Sequence, residues 1–218
     1  LIDTGYESGF ALFKKQLAKM QISPQQIRYI FLTHAHDDHA GYLNEVLSEC
    51  PDLQIVMSDK ALERLYRGQN SFHGGCTTKI ALFFCYLMKF VGKGKHLFPS
   101  IKQEYQCRCI QVTEQNRKQV ELLLQGKIID TPGHTADSIS LLLNDGSLFC
   151  GDAAMNGLPS LHRITIWAED KTAFLKSWET IIALKPNLIY PGHGKPFEYE
   201  DLKINLKRAK NIELLPIQ

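Results

Sequence analysis

Three histidines and two aspartates occupy six consecutive positions directly after an apolar run, in the segment FLTHAHDDHAG (residues 31–41). On a loop that leaves a strand, the alternate residues His34 and His36 can direct their imidazoles toward one point. The next turn can direct Asp38 and His39 toward a second point. Imidazole and carboxylate together suit zinc or iron, whereas magnesium and calcium prefer oxygen ligands. The segment therefore predicts a metal site, but its four donors are too few for two ions.

Further donors of the same kind stand in three glycine-containing loops. His134 lies in DTPGHT, Asp152 in FCGDA and His193 in IYPGHG. Each of these residues follows a predicted strand, and a neighbouring glycine lets the backbone approach closely. Isolated histidines are expected instead to be ordinary hydrogen-bonded residues: His73, His96 and His162.

Taken in order, the segments HAHDDH, GHT, GD and PGHG resemble the metallo-β-lactamase superfamily of metal-dependent hydrolases. The opening LIDTG is similar to an early Asp-x-Gly segment of that family. The resemblance spans nearly the whole chain, and its HxHxDH element is highly specific. It implies an α/β fold, the αββα sandwich, in which two mixed β-sheets lie face to face with helices outside and the metal site at one edge.

The resemblance also implies a ligand set of seven residues, all present without substitution. It places His34, His36 and His134 on a first ion, Asp38, His39 and His193 on a second, with Asp152 bridging both. We therefore expect two divalent metal ions, with zinc favoured and iron or manganese also compatible. The ligand set is that of the glyoxalase II-like and lactonase-like branches.

A hydroxide shared by two such ions is the expected nucleophile, because coordination lowers the pKa of water toward about 7. Asp38 is the expected catalytic residue, orienting the hydroxide and relaying a proton. Its neighbour Asp37 is expected to face solvent or to cap the following helix. Asp3 and Thr135 are expected to hydrogen-bond metal-bound histidines, since such histidines usually donate their other N–H to a partner.

These features favour a hydrolase of a small ester, thioester or lactone. Glyoxalase II typically adds a C-terminal helical domain, whereas this chain ends 25 residues after His193. The lactonases carry a tyrosine three residues after the bridging aspartate, where this chain has Met155. Two alternatives remain open: an oxidoreductase that resembles the mononuclear iron persulfide dioxygenases, and a non-catalytic metal-binding module.

Composition limits the partners that we expect. With 25 basic and 23 acidic residues, the net charge of +2 gives no broad field for nucleic acid or an anionic membrane, so neither partner is expected. Six cysteines without a CxxC pair predict reduced thiols and a cytoplasmic location. The chain begins at LIDTG without Met, and family members usually have one or two strands before this segment, so we expect the natural N-terminus to be missing.

Strands and helices alternate in the predicted pattern, which indicates a single domain over residues 1–218. An insertion or cap is predicted at about 69–106, where glycines surround the apolar stretch IALFFCYLMKFV (residues 80–91). This stretch could roof the site, pack onto the core or form a homodimer interface. Elsewhere the pattern predicts helices at 7–20, 40–50, 60–68 and 168–184, strands at 28–33, 53–58, 109–114, 126–131 and 187–190, and a hairpin at 138–152.

Overall fold

The computed structural model describes residues 1–92 and 94–217 of the chain. Short 3-10 helices lie at Glu7–Gly9, Pro24–Gln26 and Gln103–Arg108. The other elements follow in the order α1 (Phe10–Lys19), β1 (Tyr29–Phe31), α2 (Asp37–Ala40), α3 (Leu43–Glu49), β2 (Gln54–Ser58), α4 (Ala61–Arg67), β3 (Gly75–Cys76), α5 (Lys79–Phe90), β4 (Cys109–Val112), α6 (Arg117–Leu124), β5 (Gly126–Asp130), β6 (Ile139–Leu143), β7 (Ser147–Gly151), β8 (Trp167–Ala168), α7 (Lys171–Leu184), β9 (Leu188–Pro191) and α8 (Glu200–Lys210).

The chain divides into two compact units. Unit 1 comprises Leu1–Asn70 and His96–Arg117, and unit 2 comprises Ser71–Lys95 and Lys118–Gln218. The insertion predicted at about 69–106, of which residue 93 lies outside the described residues, thus contributes β3 and α5 to unit 2. The organisation as one domain with an insertion remains a prediction.

Unit 1 is built on a three-stranded sheet in the order β1–β2–β4. Both strand pairs are parallel, with Ile30 opposite Ile55 and Val56 opposite Ile110. Parallel strands are usually covered on both faces, which explains why these strands are short apolar runs rather than alternating ones. Helices α3 and α4 supply Leu47 and Leu65 to the same buried core as Ile30 and Ile55.

Unit 2 is built on a four-stranded sheet in the order β5–β6–β7–β9. The pair β6–β7 is antiparallel, as the predicted hairpin requires. The pair β5–β6 is also antiparallel, whereas β7–β9 is parallel. This sheet is therefore mixed. Trp178 and Ile181 of α7 pack into a core with Leu148 and Ile189. A further two-stranded sheet joins β3 to β8 in antiparallel register.

Most predicted elements are present, with ends that differ by at most three residues. The hairpin has its strands at β6 and β7, and the predicted strand at 28–33 is the three-residue β1. The predicted pattern did not include α6, α8 or the β3–β8 pair. Two-residue strands carry no periodicity that a sequence could reveal. Among the described residues, no helix is long and apolar enough to cross a bilayer.

Candidate metal centre

The histidine-rich loop of unit 1 begins directly after β1 and runs into α2. His34, His36 and His39 are buried, and the ring centroid of His34 lies 4.7 Å from that of His36 and 4.1 Å from that of His39. The compact turn of α2 after an extended His36 is what brings His39 back toward His34. Three imidazoles packed this closely in a protein interior are typical of metal ligands rather than of surface histidines.

Two hydrogen bonds determine which ring nitrogens are available in this cluster. His39 donates Nδ1–H to Asp3 Oδ2 at 2.7 Å, because an ionised carboxylate can only accept. Thr33 donates its hydroxyl hydrogen to Asp3 Oδ2 at 2.7 Å, and its oxygen lies 3.0 Å from Nδ1 of His34. The Thr33 oxygen is thus left to accept from His34. Both histidines therefore carry their hydrogen on Nδ1 and present the lone pair of Nε2 for coordination.

Asp38 lies beside His39 at a distance that suits shared coordination. Its Oδ1 is 3.7 Å from Nε2 of His39, which is too long for a hydrogen bond. Ligand atoms about 2.1 Å from one tetrahedral ion are roughly 3.4 Å apart. The expected role of Asp3 as a partner of a candidate ligand agrees with its bond to His39.

The prediction that Asp37 faces solvent or caps the next helix is wrong. Its Oδ1 accepts from Nδ2 of Asn70 at 2.7 Å, and its Oδ2 lies 3.2 Å from Nδ1 of His96. The Asp37 backbone N–H in turn donates to Asn70 Oδ1 at 2.9 Å. The Asp37 side chain is only 13% exposed. Its contacts connect the histidine-rich loop to Asn70 and His96. Their separation in sequence, 33 and 59 residues, explains why local pattern could not reveal them.

The donors of unit 2 stand at strand ends, as the sequence predicts. Asp152 directly follows β7, and His193 is two residues beyond β9. His134 is four residues beyond β5 in a turn that requires Gly133, whose φ is +129°. A Cβ at position 133 would lie 2.2 Å from the backbone nitrogen of Phe174. Glycine therefore lets this loop pass close to the start of α7.

Asp152 lies close to two histidines of unit 2, His134 and His193. Its Oδ2 lies 3.6 Å from Nε2 of His134 and 3.5 Å from Nε2 of His193. These distances are again too long for hydrogen bonds and close to the ligand–ligand spacing around a common ion. Asp152 and His134 are buried, whereas the side chain of His193 is 38% exposed and open to an incoming molecule.

His134 is oriented by residues that the sequence did not suggest. Its Nδ1 lies 2.9 Å from the carbonyl oxygen of Trp167, which can only accept, so Nε2 keeps its lone pair toward Asp152. The hydroxyl of Thr165 lies 3.2 Å from the same nitrogen and also reaches Met155 Sδ at 3.6 Å. The expectation for Thr135 is not met, since its hydroxyl lies 2.7 Å from Oγ of Ser138.

Each unit thus presents histidine Nε2 and carboxylate oxygen in an arrangement that fits a metal ion. The fit rests on the Nδ1 bonds of His34, His39 and His134, which leave Nε2 basic, and on the spacing of Nε2 from Asp38 or Asp152. Nitrogen and oxygen donors of this mixture suit zinc, iron or manganese.

A family model described as "Metallo-beta-lactamase superfamily" matches residues 1–193. The chain belongs to the metallo-β-lactamase superfamily. The matched range contains all of the candidate ligands, from His34 to His193.

Comparison with individual proteins agrees with the family assignment. The chain is 27% identical over 199 residues to "Beta-lactamase-like protein 2 homolog" of Drosophila melanogaster. That match covers 91% of this chain and 55% of the relative, so the chain spans little more than half of the relative's length.

Two solved structures show that the chain has the metallo-β-lactamase fold. The mono-zinc form of FIM-1 from Pseudomonas aeruginosa superposes with a TM-score of 0.60 at 18% identity, covering 96% of this chain and 77% of FIM-1. The di-iron-bound form of TTHA1623 gives a TM-score of 0.59 at 20% identity, with 94% and 84% covered.

Proposed function

We propose that this protein is a metal-dependent hydrolase whose two clusters, one from each unit, supply ligands to a single pair of divalent ions. His34, His36 and His134 would hold the first ion, Asp38, His39 and His193 the second, and Asp152 both. The observation that carries the proposal is the position of Asp152 Oδ2, 3.6 Å from Nε2 of His134 and 3.5 Å from Nε2 of His193. Membership of the superfamily supports the same ligand set.

Bound divalent ions would lower the pKa of a coordinated water toward about 7 and polarise the oxygen of the bond to be broken. The protein's own residues orient the groups that would take part in that chemistry. Asp3 and Thr33 keep the hydrogens of His39 and His34 on Nδ1, so that the lone pair of each Nε2 would be available to an ion. Asp38 has a second carboxylate oxygen with which it can orient water and accept its proton.

We propose a small ester, thioester or lactone as the substrate. Among these, a mechanism that uses a tyrosine three residues after the bridging aspartate is disfavoured, because Met155 stands there and is buried. Its sulfur is engaged by the hydroxyl of Thr165 at 3.6 Å, beside His134. Met155 therefore packs beside His134, a candidate metal ligand.

Zinc is the metal that we propose, with iron and manganese as the competing occupants. The solved relatives include one described in a mono-zinc form and one described in a di-iron-bound form. Elemental analysis of the full-length protein, purified without added metal, measures both the identity and the number of ions. We expect two ions per chain.

The decisive experiment combines metal content with turnover. Asp152→Ala should reduce both sharply, since the variant loses the carboxylate shared by His134 and His193. Asp38→Asn should retain more metal but lower kcat by about 10²–10⁴-fold, the usual contribution of a general base. His73→Ala, a change at an exposed histidine, is the matched control and should keep both metal and activity.

Three outcomes would overturn the proposal. A single iron per chain together with sulfite formation from glutathione persulfide would establish a dioxygenase instead. Absence of hydrolysis across a broad panel of esters, thioesters and phosphodiesters by the metal-replete protein would favour a non-catalytic binding module. Retention of two ions and full activity by Asp152→Ala would show that the ligand assignment is wrong.

A further inference from the structure

Helix α5 of unit 2 exposes a continuous apolar stripe. Ile80, Phe83, Leu87 and Phe90 recur at intervals of three or four residues and therefore share one face of the helix. All four are exposed, Phe83 by 71% and Phe90 by 89%. Tyr86, which is 40% exposed, borders the stripe. A contiguous apolar face of this kind normally marks a binding surface.

The rest of α5 is held in place by unit 2, so the stripe is not the face that packs against the core. Ala81 is fully buried, and Phe84, Cys85 and Met88 are partly buried on the opposite side of the helix. The hydroxyl of Thr78 caps the helix by accepting from the Ala81 N–H at 3.0 Å. The helix is therefore a fixed platform that carries two apolar faces, one inward and one outward.

Positive charge surrounds the stripe. The segment Ser71–Lys95 contains four lysines and neither Asp nor Glu, although the whole chain carries a net charge of only +2. Lys79, Lys89 and Lys95 are exposed among the described residues of this segment. Lys79 and Lys89 stand at the two ends of α5, where a long side chain can extend its ammonium group away from an apolar surface.

We propose that α5 is a peripheral membrane-binding surface that lies in the interface of an anionic phospholipid bilayer. The exposed stripe would enter the boundary between headgroups and acyl chains, while the lysines contact anionic headgroups. An apolar face bordered by lysines is the pattern of helices that lie in this interface. The negative potential of anionic headgroups attracts lysines that lie close to the membrane surface.

The geometry of α5 fits a helix that lies on the bilayer rather than across it. Twelve residues form a helix of about 18 Å, well short of the roughly 30 Å hydrocarbon core. Tyr86 at the border of the stripe suits the headgroup level, because its ring is apolar and its hydroxyl is polar. This inference departs from the expectation of no membrane partner, which rested on net charge and not on its distribution.

Two other occupants fit the surface less well. A second copy docked symmetrically on this face would bring the lysines of both chains together, which costs affinity through like-charge repulsion. A nucleic acid would favour aromatic side chains and arginines for stacking, but the stripe includes Ile80 and Leu87 and the segment Ser71–Lys95 has no arginine. The charge complements a lipid surface, and the aliphatic side chains complement its interior.

Flotation of the full-length protein with vesicles tests the proposal. We expect binding to vesicles of equal phosphatidylserine and phosphatidylcholine, and at least about tenfold weaker binding to phosphatidylcholine alone. Phe83→Ser with Phe90→Ser should weaken binding to the anionic vesicles by about tenfold or more, since both rings leave the interface. The matched control is Leu122→Ser with Ile204→Ser, at residues that are 81% and 72% exposed on other helices; it should bind normally.

Charge reversal tests whether the lysines of α5 contact anionic headgroups. Lys79→Glu with Lys89→Glu should weaken binding by at least about tenfold, whereas Lys203→Glu with Lys207→Glu, at exposed lysines of α8, should have little effect. Circular dichroism and Tm confirm that each variant is folded.

Four results would overturn the assignment to lipid: no flotation of the unmodified protein, equal flotation of the Phe83→Ser/Phe90→Ser variant, a dimer in light scattering that this variant abolishes, or single-stranded RNA binding that it abolishes.

Discussion

His39 Nδ1 and Asp3 Oδ2 lie 2.7 Å apart in the interior of unit 1, with the side chains 3% and 9% exposed. The two residues are 36 positions apart, and the same carboxylate also accepts the backbone N–H and the hydroxyl of Thr33, each at 2.7 Å. Asp3 therefore joins the start of the chain to the loop that carries the candidate ligands. Through His39 and Thr33, it influences the orientation of two imidazoles at once.

Replacing Asp3 by Asn should weaken metal binding without removing a ligand. The amide keeps the shape of the carboxylate but loses its charge, so His39 becomes a less basic ligand. We expect a 10–100-fold loss of metal affinity, the usual effect of changing a residue behind a ligating histidine. Competition titration against a metal-binding dye measures it. Asp52→Asn, at an exposed aspartate that forms an ion pair with Arg28, is the control; equal affinities for both variants would contradict the role given to Asp3.

Replacing Gly133 by Ala should destabilise the protein. The residue has a φ of +129°, which side chains rarely adopt, and the added Cβ would lie 2.2 Å from the nitrogen of Phe174. We expect a loss of more than about 2 kcal/mol in the free energy of unfolding, because backbone at both positions must move. Urea denaturation measures it. Gly157→Ala should be nearly neutral, since its Cβ would meet the nearest atom at 3.4 Å; similar losses for both would show that the contact with Phe174 is unimportant.

Arg108 should matter for stability rather than for metal binding. Its Nε donates to the carbonyl of Leu53 and its Nη1 to that of Leu47, each at 2.7 Å, and its Nη2 donates to the carbonyl of Cys50. Three carbonyls around the end of α3 thus depend on one guanidinium. Arg108→Ala should lower the free energy of unfolding by roughly 3 kcal/mol, and Arg108→Lys should recover only part of it, because an ammonium cannot reach all three.

Chemical denaturation with Arg28→Ala as the control tests this expectation. Arg28 makes an exposed ion pair with Asp52, so its removal should cost less than about 1 kcal/mol. If Arg108→Ala is no more destabilised than Arg28→Ala, the three carbonyl contacts contribute nothing to folding. Metal content should be unchanged in both variants.

The cysteines should differ in reactivity toward a thiol reagent at pH 8. Cys107 is exposed, whereas burial raises the pKa of Cys109 to about 11 and also raises the pKa of Cys50. Only the thiolate reacts, so Cys107 should be modified first and Cys107→Ser should remove the fast phase. The rate at Cys109 should rise about tenfold per pH unit below its pKa, as the thiolate fraction rises. Equal rates at Cys107 and Cys109 would contradict this order.

The types of the donors and the strand ends on which they stand can be predicted from the amino-acid sequence alone. HxHxDH and the three glycine loops are local patterns, and a strand followed by glycine predicts where a side chain emerges. The family assignment, which the match over residues 1–193 confirms, followed from the order of these segments. The joining of both clusters into one dinuclear centre remains a prediction, as do the cytoplasmic location and the homodimer.

The specific pairs that orient these side chains emerge from the three-dimensional fold, although the sequence already predicts Asp3 as a partner of a metal-bound histidine. The partners lie 31–36 residues from the side chains that they contact: Asp3 for His39, Trp167 and Thr165 for His134, and Asn70 for Asp37. A hydrogen bond between such distant residues depends on how strands and loops pack, not on any period along the chain. The sequence also showed that α5 is apolar, but not that one of its apolar faces is exposed. A helix that is apolar on most sides has no hydrophobic periodicity that would indicate which face is buried.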